Sequence, residues 1–170
     1  LWGEFCDWYI ELVKPRLLGK KGESSRYTAQ WILHYVLERT LKLLHPFMPF
    51  ITEEIYQRLS YPHEESIMIS NWPVAEKKAE SEVEEKMNLL MQAIQEARTV
   101  RSEMGVAPEK RIDLYLKSPH EEKLNLLREN RSYIANLVRT EKLIIGEKIA
   151  KPTGSISSLV DDIDIFIPLK

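Results

Sequence analysis

A proline corner constrains this chain more than any other feature. In the stretch His45-Pro46-Phe47-Met48-Pro49-Phe50, two prolines directly follow an apolar helical pattern. Proline lacks the backbone N–H donor and its ring clashes with the preceding turn, so a helix is predicted to close over Leu41 to Leu44. Thr52 is then expected to cap the next helix, with Glu53 and Glu54 near the positive end of its dipole. The corner therefore predicts two helices held at a fixed angle, which is a scaffold.

Helical patterns dominate the first 106 residues. Hydrophobic spacing predicts helices over Leu1 to about Leu18, Ser25 to about Leu44, a short one ending near Leu59, and a long one over Val83 to Met104. Ser24 is the expected N-cap of the second helix, whose apolar groups surround most of its circumference. Residues 61–73 are predicted to be extended, with Ile67-Met68-Ile69 lying across the helices and Trp72 fixing the end. We expect a mainly α protein in which residues 1–106 form an antiparallel helical bundle.

A change of hydrophobic period marks a second region. After Gly105-Val106-Ala107-Pro108 the pattern alternates at Ile112, Leu114 and Leu116, which predicts a strand with one buried face. Ser118 is the expected cap of the following helix, which should end near Glu129. The remaining predictions are a helix near Ser132 to Val138, a strand at Lys142 to Ile145, and a hairpin of Ser155 to Val160 with Ile163 to Leu169 around Asp161-Asp162. Residues 107–170 are thus predicted to form a small α+β subdomain with a few antiparallel strands and two helices.

Composition excludes several classes of function. The 170 residues are 44% hydrophobic and 29% charged, with a net charge of -2, so overall charge does not attract nucleic acid. No run approaches the roughly 20 apolar residues of a membrane span, and a cytoplasmic protein is expected. The sequence contains no Gly-rich phosphate loop, no Cys/His cluster with zinc spacing and no nucleophile elbow. We therefore predict no catalytic residue, no metal site and no cofactor within this chain.

Three stretches resemble the anticodon-binding domain of class I valyl-tRNA synthetases. They are Trp2-Gly3-Glu4-Phe5-Cys6-Asp7-Trp8-Tyr9-Ile10-Glu11 with Lys14-Pro15, Leu43 to Glu54 across the proline corner, and Ala97 to Met104 with Val106, Pro108 and Lys110. They span essentially the whole chain and occur in the family's order. The proline corner is shared with isoleucyl and leucyl relatives, whereas the segment Glu4 to Tyr9 points to the valyl branch.

The resemblance implies a helical bundle that binds the anticodon stem and loop of tRNA(Val). The catalytic and editing domains of the same parent chain would be further partners. ATP and Mg would be cofactors of that catalytic domain, since its His-Ile-Gly-His and Lys-Met-Ser-Lys-Ser type signatures do not occur here. Because no N-cap residue precedes Leu1, we expect a fragment, with an earlier anticodon-contacting helix and a C-terminal coiled-coil arm outside it. RNA recognition without catalysis is the expected function.

One group of candidate tRNA contacts lies where the first two helices meet. Anticodon recognition requires flat side chains on which bases stack and cations that neutralise phosphates. Tyr27 is the candidate for stacking, and the candidate cations are Lys14, Arg16, Lys20, Lys21 and Arg26. Alternatively, Lys14 and Arg16 complement a helix C-terminus and the turn lysines are only solvated. Trp31 is assigned to the core, like the other tryptophans on apolar stripes.

A second group of candidates follows the long helix. Arg98 and Arg101 lie three residues apart on one flank of it, and Lys110 follows just past its end, beside Arg111. Together they predict a phosphate clamp for the RNA stem. The alternative is that these arginines form structural ion pairs with Glu96 or Glu103.

A different class of function is also consistent with the sequence. The chain would then be a structural or protein-interaction helical module with no RNA binding of its own. Salt-weakened binding of tRNA is expected only of the RNA-binding module, because phosphate contacts release counterions.

Overall fold

The computed structural model describes residues 2–61, 63–75, 81–107 and 109–168. Within these ranges the chain is mainly α with one small sheet, as the sequence predicted. It divides into two compact units, Leu1–Lys77 and Lys78–Lys170. The long helix belongs to the second unit and contacts the sheet there, so an antiparallel bundle over residues 1–106 is not confirmed. The predicted domain boundary after residue 106 stays a prediction.

The first unit contains three α-helices and two short non-α segments. A π-helical segment at Trp2–Tyr9 leads into α1, and the elements that follow are α1 (Ile10–Leu17), α2 (Glu23–Leu44), α3 (Pro49–Gln57) and a 3-10 turn at Ile67–Ile69. α1 and α3 both contact α2. The predicted end of α2 at Leu44 is confirmed. Its predicted cap is wrong, because α2 begins at Glu23 and Gly22 precedes it with a positive φ of 85°.

Polar contacts fix the proline corner. α3 begins at Pro49, so the prediction that Thr52 caps this helix is wrong. Thr52 is instead buried, and its Oγ1 donates to the Met48 carbonyl at 2.8 Å. With that proton engaged, the 2.8 Å contact to His45 Nδ1 is one in which the histidine donates. A threonine one turn inside α3 thus ties the helix back to the end of α2.

Glu53 connects α3 to the loop that follows. Its carboxylate accepts from Gln57 Nε2 at 2.7 Å, from Ser66 Oγ at 3.0 Å and from the Ile67 amide at 3.2 Å. These bonds, the one from Gln57 first, lower the pKa of Glu53 below its usual value. The loop was predicted to be extended, but Ile67–Ile69 form a 3-10 turn, and only Ile67 of that turn is buried. Trp72 is exposed and does not fix the segment's end as expected.

α2 is less enclosed than its sequence predicted. Among its residues only Ala29 and Leu41 are buried, whereas Trp31, Leu37 and Leu43 are exposed. The apolar circumference of a helix is covered only if neighbours pack on every side. Within the first unit α1 and α3 contact α2, and they leave part of it uncovered.

The second unit is a mixed sheet covered by helices. Its elements are α4 (Ser81–Glu103), β1 (Ile112–Lys117), α5 (Glu121–Glu129), α6 (Arg131–Val138), β2 (Thr140–Gly146), β3 (Ser155–Val160) and β4 (Ile163–Pro168). The strand order is β2-β1-β4-β3. β1 pairs with β4 antiparallel but with β2 parallel, which corrects the prediction of antiparallel strands alone. The helices α5 and α6 supply the long crossover that a parallel pair requires.

The core of this unit follows the predicted alternation. Ile112, Leu114 and Leu116 of β1 are buried, and α4 contacts β3, β4 and α6. Ser118 does not cap α5, contrary to the prediction. Its hydroxyl accepts a hydrogen bond from the His120 amide at 3.3 Å. This bond closes a short side-chain turn just before the helix. The predicted hairpin is confirmed over Ser155–Val160 and Ile163–Pro168, and Leu169 lies outside the described residues.

Candidate nucleic-acid interface

The turn between α1 and α2 is closed by backbone hydrogen bonds. The Gly19 amide donates to the Arg16 carbonyl at 3.0 Å, and the Lys20 amide donates to the Pro15 carbonyl at 3.1 Å. Gly19 has a φ of 74°, so this is a Schellman end, in which a left-handed residue satisfies the last carbonyls of a helix. The exposed side chains of Lys20 and Lys21 therefore extend from an ordered turn.

Arg16 connects the two helices that flank this turn. Its Nε donates to Ser25 Oγ at 2.9 Å, and its Nη2 donates to the Ser25 carbonyl at 3.2 Å. An arginine has five N–H donors, so these bonds leave part of the guanidinium's donor capacity for a phosphate. Arg16 thus has a structural role that the sequence did not predict, next to its predicted role in RNA binding.

Two of the predicted cations form ion pairs within their own helices. Lys14 Nζ lies 2.5 Å from Glu11 Oε1, and Arg26 Nη1 lies 3.6 Å from Glu23 Oε1. Exposed ion pairs of this kind stabilise a protein by about 1 kcal/mol at most. An RNA phosphate can therefore replace the carboxylate as the partner of the cation. Both cations therefore remain compatible with an RNA contact.

Exposed aromatic side chains continue the same surface along α2. Tyr27 is 64% exposed, and Trp31, one turn further on, is 53% exposed. The assignment of Trp31 to the core was therefore wrong. Trp31 stacks on Tyr35 with ring centroids 5.0 Å apart, and the Arg39 guanidinium lies 3.6 Å from the Tyr35 ring centre. The signal that the sequence offered was the spacing of four residues from Tyr27 to Arg39, which places these side chains along one stripe of a helix.

The second group of candidates is divided by burial. Arg101 is only 7% exposed, and its guanidinium donates to the carbonyls of Val138 at 2.7 Å, Ala107 at 2.8 Å and Lys110 at 2.5 Å. Burial first, and then the nearby Arg139 cation, lowers the pKa of Arg101 below its usual value. Arg101 therefore lacks the exposure that a phosphate contact requires. Its acceptors are backbone carbonyls, whereas the sequence had suggested Glu96 or Glu103.

Arg98 and Lys110 remain candidates for an RNA contact. Arg98 Nε donates to the Leu137 carbonyl at 2.9 Å, and its side chain is half-buried. Lys110 contributes its carbonyl to Arg101, whereas its own side chain is exposed. Arg111 donates to the Thr140 carbonyl at 3.4 Å.

The described part of the chain offers neither a metal site nor a membrane span. No group of three or more His, Cys, Asp or Glu side chains could hold a metal ion there. None of the described helices is both long enough and apolar enough to cross a membrane.

Comparison with known proteins identifies the family. A family model described as the anticodon-binding domain of tRNA ligase matches residues 1–116. The chain belongs to this family. The resemblance to the anticodon-binding domain that the sequence motifs indicated is confirmed.

The relatives of this anticodon-binding domain are valine–tRNA ligases. The chain is 44% identical over its whole length to the valine–tRNA ligase of Carboxydothermus hydrogenoformans. It is 41% identical to the ligase of Bacillus licheniformis and 40% identical to that of Bacillus subtilis, again over its whole length. In each case the chain spans 19% of the relative's own length.

Proposed function

We propose that this chain is the module of a valine–tRNA ligase that recognises the anticodon stem and loop of tRNA(Val). The observation that carries the proposal is the identity of 40–44% to valine–tRNA ligases over the whole chain. In the complete enzyme, helices of residues 1–106 would form the antiparallel bundle of the family. Catalysis, editing, ATP and Mg²⁺ would belong to other domains of a cytoplasmic enzyme.

The surface at the α1–α2 turn suits an RNA loop in its chemistry. Exposed cations at Lys14, Lys20 and Lys21 can neutralise phosphates, and the exposed ring of Tyr27 can stack a base. A helix end with its turn can enter a nucleic-acid loop, whereas the flank of a helix cannot. We therefore propose the α1–α2 turn, with Arg16 and Arg26, as the main RNA contact.

Arg98 and Lys110 are proposed as a second, weaker contact with the RNA stem. Arg101 is left out of it because its side chain is buried and donates to the carbonyls of Val138 and Ala107. Its role in the proposed site is to hold the backbone of Lys110, since its Nη2 contacts the Lys110 carbonyl.

Aminoacylation kinetics of the complete enzyme test the proposal. Lys14→Ala and Arg26→Ala should each raise the KM for tRNA several-fold and leave the KM for valine unchanged, because each removes a phosphate contact distant from valine. Lys148→Ala, which removes an exposed cation from the second unit, is the matched control. Wild-type tRNA kinetics in both variants would remove the α1–α2 turn from the interface. They would favour the alternative module that packs on protein and binds no RNA.

A further inference from the structure

The proline corner presents an apolar surface to the outside. Phe47 is 81% exposed and Phe50 is 90% exposed, and the neighbouring Met48, Ile51 and Ile55 are exposed as well. We call these five residues the corner face. Single exposed apolar residues are ordinary, but a contiguous group of large ones marks an interaction surface.

α3 exposes apolar side chains on the side that a solvated helix would cover with polar ones. Its buried residues are Thr52 and Tyr56, whereas Phe50, Ile51 and Ile55 lie on the opposite side. At about 100° per residue, these three apolar side chains fall within an arc of about 140°. A helix that buries a threonine and exposes a phenylalanine is expected to pack against something on its outer side.

The corner face carries no charge that would attract RNA. The charged residues on that side of α3, Glu54 and Arg58, form an ion pair with each other at 2.5 Å. RNA binding requires a surplus of cations, and this face has none, because the Arg58 cation beside it is matched by the Glu54 carboxylate. An apolar surface with neutralised charges suits a protein surface of the same character.

The position of the corner face separates it from the proposed RNA contact. α2 has 22 residues, with the α1–α2 turn before its first residue and the corner after its last. At about 1.5 Å per residue the two surfaces are about 33 Å apart, at opposite ends of one helix. One end can therefore hold RNA while the other is covered by protein.

We infer that the corner face packs against an apolar surface of another domain of the same polypeptide. This inference rests on the proposed function, in which the chain is part of a longer ligase. The relatives support it, because the chain spans only 19% of their length and the other four-fifths can supply the partner surface. α2 would then be the arm that transmits the position of the RNA loop to that domain.

Thiol labelling of the complete ligase tests the inference. Phe50→Cys should react with a maleimide at least tenfold more slowly in the folded enzyme than Val83→Cys, with peptide mass spectrometry locating the label. Val83 lies on α4 and is also exposed, so it is the matched control. Both cysteines should react at the same rate in urea. Phe50 and Val83 are both exposed within this chain, so neither substitution disturbs its own core and both variants should fold. Equal rates in the folded enzyme would overturn the inference.

Three additional measurements separate the possible occupants of the corner face. Protection of Phe50→Cys that appears only with a tRNA transcript would show that RNA covers this face and would overturn the inference. Protection that disappears on dilution would mean a second copy of the protein and would also overturn it. Protection in an enzyme whose tRNA KM is insensitive to Lys14→Ala and Arg26→Ala would uphold the inference and count against the proposed function alone.

Discussion

At the scale of single residues, burial distinguishes a cation that supports the fold from cations that remain candidates for RNA binding. Arg101 and Lys110 were predicted to act together in a phosphate clamp. The Arg101 side chain is buried, however, whereas the Lys110 side chain is exposed. Arg101 lies near the end of α4 and contacts the carbonyl of Val138 at the end of α6. It also contacts the carbonyl of Ala107 in the segment between α4 and β1. Its charge is retained because arginine stays protonated even when its pKa is lowered.

Replacement of Arg101 tests this structural role. Arg101→Ala leaves the buried Val138 carbonyl, and the carbonyls of the exposed residues Ala107 and Lys110, without their donor. It should therefore reduce the local stability of the second unit by about 1–3 kcal/mol. Hydrogen exchange at the amides of β1 and β2 measures this loss. Lys110→Ala keeps the carbonyl that Arg101 binds and should leave the exchange rates unchanged. Unaltered exchange in Arg101→Ala would show that the three bonds contribute little.

At the scale of elements, the ends of the helices decide where the functional side chains lie. The Schellman turn fixes the lysines between α1 and α2, and Arg16 fixes the start of α2 through Ser25. At the other end of α2, the His45–Thr52 contact holds the corner. Each of these contacts joins residues close in sequence, so the geometry of the first unit is set mainly by local hydrogen bonds.

The turn between α1 and α2 can be tested through its glycine. An alanine at Gly19 would meet no atom closer than Glu23 Oε1 at 3.7 Å, so space does not forbid it. The φ of 74° is nevertheless unfavourable for any residue with a Cβ, and Gly19→Ala should lower the free energy of unfolding by about 1–2 kcal/mol. Urea denaturation measures the change. Gly3→Ala, where φ is not positive and the space is open, should be neutral or slightly stabilising.

At the scale of the whole molecule, charge is local. The net charge is -2, so long-range attraction does not bring RNA to this chain. In the proposed function, binding comes from a few local contacts at the α1–α2 turn, supplemented by Arg98 and Lys110. Each of the two compact units thus carries its own candidate residues for RNA contact.

The salt dependence of tRNA binding measures how many contacts are made. A plot of log affinity against log salt should have a slope that becomes shallower by about 0.7–0.9 for each phosphate contact removed. Lys20→Ala and Lys14→Ala should each produce this change in the complete enzyme, and Lys148→Ala should not. A slope unaltered by the first two substitutions would contradict a phosphate contact at either lysine.

Most of the secondary structure was predictable because it depends on local patterns. The end of α2 before the prolines, the α4 span that stops before Gly105 and the β3–β4 hairpin were all read correctly. The predicted caps at Ser24, Thr52 and Ser118 were wrong. A serine or threonine near a helix start can bond to several backbone groups, and packing decides which one it uses.

The candidate site was predictable only in part. The sequence identified the cations at the α1–α2 turn and the ring of Tyr27, since charge and spacing are properties of the residues themselves. It did not show that Arg101 is buried or that Trp31 is exposed, because burial depends on which elements pack together.

By itself, the sequence determined the family, most of the helices and the candidate residues for RNA contact. The tertiary structure decided that the sheet is mixed, that α4 packs with it, and that the apolar side of α3 faces outward. The physical reason is the distance along the chain between the residues that interact. Helix and strand formation follow from neighbours along the chain, whereas burial, strand direction and the function of each arginine follow from contacts between residues far apart in sequence.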